Sequence, residues 1–530
     1  MGHPKNKEIL TTGERLDQAT SEQIRGGSML VLGKIIQAGL LFGTQVLMVR
    51  YLSKADYGAW GYAWAVLSFF RTFSTLGLKR SVTRFVPIFH EKGEYQKISG
   101  MLVLIAQTIA FIGIGIILLV YLSPNFISRL IAGSVTPTEI LLIMIFFVPL
   151  DAVDEILIGL FASFASPKFI FYNKYLMAPG LRFLVVLFLV LSGSSVLAIA
   201  YGYVLVSLFG VAFYSAIFVW ILQKKNILQK LRSHPISIPY REVFSFTLPL
   251  LTSDLILILL QSSNTVILGY YHGTTAVASL QVILQAAMFT QMVTISFSYL
   301  YTPLASRLFA RRDKEVINKL YWKTAMWMSI ISLPIFLLTF SSAITLVPTV
   351  YGERYTESWI FLSMLSTAYF TRVIFGFNGL TIQVYGKVKF IMLIDLVTAI
   401  INIVANFIFV PPFGAMGAAA VAAFSIILHT VLKHFGLSRI TGISPVRKEN
   451  LWVYLQIFVA ALILFVIHGI WHIHLVVSVL LIGIISLVIF KSNQHRLEVK
   501  ETFPELFKIP FIKTLLYWNI FSTVESSSEV

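Results

Sequence analysis

Fourteen apolar stretches, each near the roughly 20 residues needed to cross a bilayer, dominate this chain. They run from about 28–50, 57–79 and 100–122 to 450–471 and 473–491. In hydrocarbon every backbone N–H and C=O must find its partner within the protein, so lone stretches of this length form helices. The residue balance agrees: 57% are hydrophobic and 12% charged, where a soluble domain carries about 25% charged residues. The expected fold is an all-α polytopic membrane protein with about fourteen transmembrane helices. Residues 1–27 are polar, and the first apolar run is long enough to be a retained span rather than a cleaved signal.

The spans repeat. Landmarks recur at an offset of about 220 residues: Arg50-Tyr51 answers to Tyr270-Tyr271, Leu130-Ile131-Ala132-Gly133 to Thr349-Val350-Tyr351-Gly352, and Lys168-Phe169 to Lys389-Phe390. Two pseudo-symmetric six-helix lobes follow, residues 28–222 and 243–437, joined by a hydrophilic linker at 223–242 that suits a hinge. An extra helix pair occupies 450–491. The tail 492–530 contains an apolar stretch broken by Pro504, Lys508, Pro510 and Lys513, which reads as an amphipathic segment on the cytoplasmic interface. Internal repeats enclosing a central cavity point to a carrier.

The net charge of +17 is a matter of distribution. With both termini placed in the cytoplasm, only Arg50, Lys54, Arg129 and Arg354 of the 41 Lys and Arg fall on the opposite side. Lys34, Arg71, Lys174, Arg182 and Arg372 lie within spans. The positive-inside rule then sets an N-in, C-in orientation. The basic excess reports topology and contact with anionic membrane lipid, and implies no nucleic-acid partner. The chain has no cysteine, so disulfides, thiolate metal sites and iron–sulfur clusters are excluded. No phosphate-binding loop with Lys-Ser/Thr occurs, so ATP does not drive it directly. His468, His472 and His474 have metal-like spacing but read as interfacial residues, and no cofactor is expected.

Ionisable groups inside spans cost roughly 2.5–3.5 kcal/mol each at mid-helix, so they need partners or water. The cations are candidate cavity groups for an anionic substrate. Lys34 and Lys174 stand about six residues from helix ends, roughly 9 Å, and have snorkelling as an alternative. Arg71, Arg182 and Arg372 are deeper. They read either as the wall of a polar cavity, where guanidinium forks suit phosphate oxygens, or as structural pairs. The carboxylates Asp151, Asp154, Glu155, Asp254 and Asp395 are candidate coupling or counter-ion groups. Asp151, Asp154 and Glu155 share one helical face, as a proton or Na+ coupling site, as counter-ions to arginine, or as a solvated wall. Superposing the repeats sets Lys34 against Asp254, Asp151 against Arg372, and Lys174 against Asp395, each of opposite sign.

Among uncharged groups, Gln45, Gln281, Asn264, Asn402 and Asn406 read as inter-helix hydrogen bonders, with sugar hydroxyls as the sharper option. Trp60, Tyr62 and Trp64 read as an interfacial aromatic belt. Gly58 and Gly61 permit close helix approach, and Asp56 is placed to cap the second helix.

Residues 49–58 read VRYLSKADYG, the second span ends in LGLKRSVTRFVPIF, Gly93-Glu94 follow, and YGERY stands at Tyr351–Tyr355. In order and spacing these resemble the polysaccharide-biosynthesis (Wzx-like) flippases of the multidrug/oligosaccharidyl-lipid/polysaccharide exporter superfamily, over residues 25–440. The resemblance implies a V-shaped pair of lobes. It also implies alternating-access transfer of a polyprenyl-(pyro)phosphate-linked oligosaccharide to the outer leaflet of the plasma (cytoplasmic) membrane, with glycan-assembly enzymes as partners. A cation-coupled extruder of small amphipathic molecules is the alternative within the superfamily. An enzyme acting on lipid-linked glycans would need a substantial external loop, and the expected external loops are short.

Overall fold

The computed structural model describes residues 12–123, 135–164, 167–471 and 473–498, and among them there are helices and no strand. In chain order the principal helices are α1 (Thr12–Tyr51), α2 (Lys54–Thr75), α3 (Leu78–Glu91), α4 (Tyr95–Leu122), α5 (Val135–Met144) and α6 (Phe147–Phe164). A π-helical turn, Phe171–Met177, leads into α7 (Ala178–Leu191), followed by α8 (Val196–Lys224), α9 (Ile227–Arg232), α10 (Tyr240–Met288) and α11 (Thr290–Ala310). Then come α12 (Lys314–Phe340), α13 (Ala343–Tyr351), α14 (Ser358–Ile374), α15 (Asn378–Val384), α16 (Val388–Thr441), α17 (Lys448–Trp471) and α18 (Leu475–Ser492).

Ten stretches among the described residues are long and apolar enough to cross a membrane, so the chain is an all-α polytopic membrane protein. Four places separate these ten from the fourteen read in sequence. Helix α2 is made less apolar by its charges and polar aromatics, α5 is only 10 residues long, and α6 holds three carboxylates in 18 residues. Helices α10 and α16 run for 49 and 54 residues, about 70–80 Å of helix at 1.5 Å per residue, each counted twice in the sequence reading. Both turn at a glycine, Gly273 (φ 73°) and Gly414 (φ 55°), a backbone region that side chains with a Cβ avoid.

The helix starting the first span begins at Thr12, within the stretch read as a polar tail. The amphipathic segment expected in the C-terminal tail lies outside the described residues. The 223–242 segment is anchored: Ser237 N donates to Gln96 O at 3.1 Å, and Ser99 Oγ donates to Leu231 O at 3.1 Å. Gly100 makes that approach possible, because a Cβ there would stand 1.9 Å from Ser237 O.

Contacts gather the chain into two compact units. The first comprises Met1–Gln285, Val350–Phe361 and Met392–Ser425; the second Ala286–Thr349, Leu362–Ile391 and Ile426–Val530. In the first, α3 buries Leu78, Val82, Val86 and Phe89 against Ile98 and Met101 of α4, Ile156 and Leu160 of α6, and Phe218 of α8. Helix α3 is not among the expected elements, since its lysines and arginines read as a loop. Its apolar residues nonetheless recur every three to four positions and form one helical face. In the second unit, Phe336 stacks on Phe370 with centroids 4.1 Å apart, within a core that includes Val453, Leu464 and Ile482.

Close approach in the first unit depends on small residues, because lipid offers helices no hydrophobic reason to associate. A Cβ on Gly58 would lie 1.7 Å from Thr274 O, and one on Gly61 2.8 Å from Gln281 Cγ. Gln45 Nε2 donates to Tyr57 Oη at 3.0 Å and to Val282 O at 3.0 Å. Asn264 Oδ1 accepts from Asn406 at 2.7 Å and from Asn402 at 3.3 Å. These amides hydrogen-bond helix to helix.

Candidate functional site

Helix α2 starts at a capping pair that differs from the expected one. Ser53, not Asp56, is the N-cap: its Oγ accepts from Asp56 N at 3.0 Å and donates to Asp56 Oδ2 at 2.7 Å. The hydroxyl stands just outside the helix, whereas the carboxylate is already in its first turn, so the hydroxyl meets the free N–H groups there. From that start, Trp60, Trp64 and Arg71 come onto one face at helical spacing.

That face meets the start of α6. Arg71 Nε donates to Asp151 Oδ2 at 2.7 Å, and its Nη2 lies 2.5 Å from the same oxygen. The guanidinium carbon of Arg71 stands 5.4 Å from the Phe147 ring centroid, and that of Arg182, on α7, stands 5.2 Å from it. One aromatic ring thus serves two guanidinium groups, each contact contributing about 0.5–2 kcal/mol depending on desolvation. Trp64 packs on Arg71 at 5.5 Å and on Phe147 at 5.6 Å. Tyr203 of α8 completes the cluster, 5.8 Å from Arg182 and 4.8 Å from the Trp60 ring. Trp60 and Tyr62 are 8% and 1% exposed. Trp60 and Tyr62 are therefore packed inside the unit, and Trp64 is half-buried against Phe147, so the three do not form the expected interfacial belt.

Arg182 donates weakly to Ser207 Oγ at 3.4 Å, while its Nε and the hydroxyl of Tyr214 are buried without a hydrogen-bond partner among the described residues. Both residues line a cleft shared with Asp151, Asp154 and Phe147, whose free space is about 20 Å³. That is the size of a single water site. A diphosphate would enter only if side chains moved, for instance by Asp151 releasing Arg71.

Two further candidate carboxylates, Glu155 and Asp254, are held by α3. Lys79 Nζ lies 3.1 Å from Glu155 Oε2, and Arg80 Nη2 lies 2.6 Å from Asp254 Oδ1. The partners differ from those suggested by superposing the repeats: Asp151 is held by Arg71 and Asp254 by Arg80. A side chain spans only a few ångströms, so helix packing chooses its partner, and equivalence in sequence does not bring residues into reach.

Lys34 is half-buried on α1. Lys174 sits in the π-helical turn, a rare geometry often found at functional positions, where its carbonyl accepts from Gln37 at 3.4 Å. Arg372 is exposed in the last turn of α14, in the second unit. Asp395 is 4% exposed on α16. Neither belongs to the Phe147 cluster. Sequence reasoning misses Lys79, Arg80, Phe147, Tyr203, Ser207 and Tyr214. For Lys79 and Arg80 the apolar periodicity of α3 is the available signal; for a Phe or Tyr among so many apolar residues there is none.

The histidines separate. His468 is fully buried, with Nε2 2.6 Å from Ser478 Oγ and 3.1 Å from Ser342 Oγ, and Nδ1 2.7 Å from Leu464 O. It is a core hydrogen bonder rather than an interfacial residue; His472 lies outside the described residues.

Comparison with known proteins bears on the whole architecture. The model of the polysaccharide biosynthesis protein family matches residues 24–309, and the MatE model matches residues 249–408. No curated protein matches in sequence. The fold is similar to that of the lipid II flippase MurJ in an inward closed conformation, at 14% identity and TM-score 0.66, covering 89% of this chain and 99% of that one. It is also similar to an inward-facing multidrug resistance MATE family transporter of the MOP superfamily, at 14% identity and TM-score 0.63, covering 77% and 96%. A third likeness is to the MATE multidrug transporter DinF-BH, at 14% identity and TM-score 0.56, covering 83% and 100%.

Proposed function

Because this chain belongs to the polysaccharide biosynthesis protein family, we propose that it is a flippase. Its cargo is a polyprenyl-(pyro)phosphate-linked oligosaccharide, carried from the cytoplasmic to the outer leaflet by alternating access of two six-helix lobes. The chain is a multi-pass membrane transporter of the MOP superfamily, not an enzyme. The observation that carries the cargo reading is the pair of guanidinium groups, Arg71 and Arg182, against the one ring of Phe147, the second of them with an unpartnered Nε.

In this mechanism the diphosphate displaces Asp151 from Arg71 and bridges both guanidinium groups, which hold phosphate oxygens through charge-assisted hydrogen bonds. Trp64, half-buried beside Arg71, offers a flat face to the sugars, and the polyprenyl chain stays in lipid. Asp154, on the same cleft, takes the proton or Na+ that couples the cycle. Both termini lie in the cytoplasm, the membrane is the plasma membrane, and glycan-assembly enzymes supply the cargo.

The test is translocation of a fluorescent polyprenyl-diphosphate oligosaccharide in reconstituted vesicles. The protein accelerates transfer, and Arg71→Ala and Arg182→Ala each slow it by about tenfold or more, the worth of one charged hydrogen bond. Unchanged rates in both variants remove this site. Drug extrusion without lipid transfer would favour the cation-coupled extruder.

A further inference from the structure

Away from the Phe147 cluster, the second unit holds a cavity of about 470 Å³ where α12, the start of α17 and the chain after α18 meet. Its walls are graded. Lys448 lies just outside the apolar stretch Asn450–Trp471, and His495 and Arg496 lie just beyond the end of Leu475–Ser492. Trp452, 53% exposed, stands one turn further in, and Met326 of α12 adds an apolar wall.

Among the described lining residues the charge balance is positive. Glu498 is the only carboxylate among them, and it is already bridged to Lys323 at 2.5 Å. Lys448, Arg496 and His495 are all solvent-exposed, so the cavity presents donors where a span ends. Asn450, 4% exposed, is tied back through Nδ2 to Trp322 O at 3.4 Å, so the floor is anchored to α12.

We infer that this cavity binds the phosphate of an anionic phospholipid headgroup. Lys448 and Arg496 take the phosphate oxygens, and Trp452 sits at the level where headgroup meets acyl chain. Basic pockets between helices at the membrane surface recognise anionic headgroups by this combination, and an indole favours that depth. Free phosphate shares the oxygen chemistry but would gain nothing from Trp452 or Met326. The inference does not rest on the cargo reading, because a flippase and an extruder would both keep the cavity.

The experiment uses the full chain in phosphatidylcholine nanodiscs carrying a fixed fraction of phosphatidylglycerol, with bromine on the acyl chains of one lipid or the other. Brominated phosphatidylglycerol should quench tryptophan fluorescence more than brominated phosphatidylcholine. That excess should vanish in Trp452→Phe, and the apparent affinity for phosphatidylglycerol should weaken about fivefold in Lys448→Gln and in Arg496→Gln, the value of one surface cation near anionic lipid. Equal quenching by the two lipids, or an excess that survives all three substitutions, overturns the proposal. So does loss of the excess on adding inorganic phosphate alone, which would assign the cavity to the free ion.

Discussion

Arg80 meets Asp254 at 2.6 Å although 174 residues separate them. The contact joins α3, an amphipathic helix whose apolar face is buried, to the long helix α10. Beside it Ser81 Oγ and Thr247 Oγ1 lie 2.6 Å apart, and Arg84 stands 4.4 Å from the Phe246 ring. Helix α3 is thereby fastened to α10 by an ion pair, a hydroxyl pair and a cation–π contact.

The ion pair is partly solvated, with side chains 47% and 28% exposed, so its energetic value is modest. A double-mutant cycle on Arg80→Ala and Asp254→Ala should give a coupling of about 0.2–1 kcal/mol, read from unfolding in mixed micelles. Additive losses would mean that the two side chains do not stabilise one another.

Asp151 and Arg71 should behave differently, since their side chains are only 13% and 28% exposed. Replacing Asp151 with Ala strands a guanidinium among aromatic rings and should cost about 1.5–3 kcal/mol. Replacing both residues should cost less than the two single losses together, because no unpaired charge remains. A double variant as unstable as the sum would contradict this.

Gly58 and Gly39 make a matched test of packing. A Cβ at Gly58 would stand 1.7 Å from Thr274 O, whereas one at Gly39 has nothing within 4 Å. Gly58→Ala should therefore destabilise by about 1–3 kcal/mol or more, as overpacking does. Gly39→Ala should be neutral or stabilising by up to about 1 kcal/mol through helix propensity. Similar melting temperatures for the two variants would show that α2 and α10 do not touch there.

The charged clasp at Glu357 predicts a pH dependence. Lys54 Nζ lies 2.6 Å and Ser279 Oγ 2.7 Å from Glu357 Oε1, and these donors, Lys54 first, hold the carboxyl below its ordinary value of 4.5. A carboxyl depressed on folding stabilises the folded state at pH above its unfolded value, and loses that contribution as pH falls through the folded one. The stability gap between wild type and Glu357→Gln should thus be present at neutral pH and close in acid below the ordinary glutamate range. A gap of constant size from neutral to acid pH would rule the clasp out.

Much of the architecture is legible in one dimension. Span length, the positions of Gly58 and Gly61, and the hydrogen-bonding role of Gln45, Asn264, Asn402 and Asn406 follow from local chemistry. A polar group in hydrocarbon needs a partner whatever the fold, and a glycine between bulky neighbours marks a close approach. Helix α3 is less visible, because Lys79, Arg80 and Arg84 mask the spacing of Leu78, Val82, Val86 and Phe89. Local chemistry also points to the wrong cap for α2, at Asp56, because the carboxylate is the stronger acceptor; the backbone instead puts the Ser53 hydroxyl where the first free N–H groups point.

The sequence by itself determined that this is a helical membrane protein whose spans carry more charge than hydrocarbon tolerates unpaired. Only the tertiary structure decided that Asp151 answers to Arg71, that Asp254 answers to Arg80, and that the Phe147 ring stands against two guanidinium groups. The reason is range. Hydropathy and helix periodicity act over a few consecutive residues, whereas an ion pair or cation–π contact is won within about 3–6 Å, a distance that only the packing of helices far apart in the chain can set.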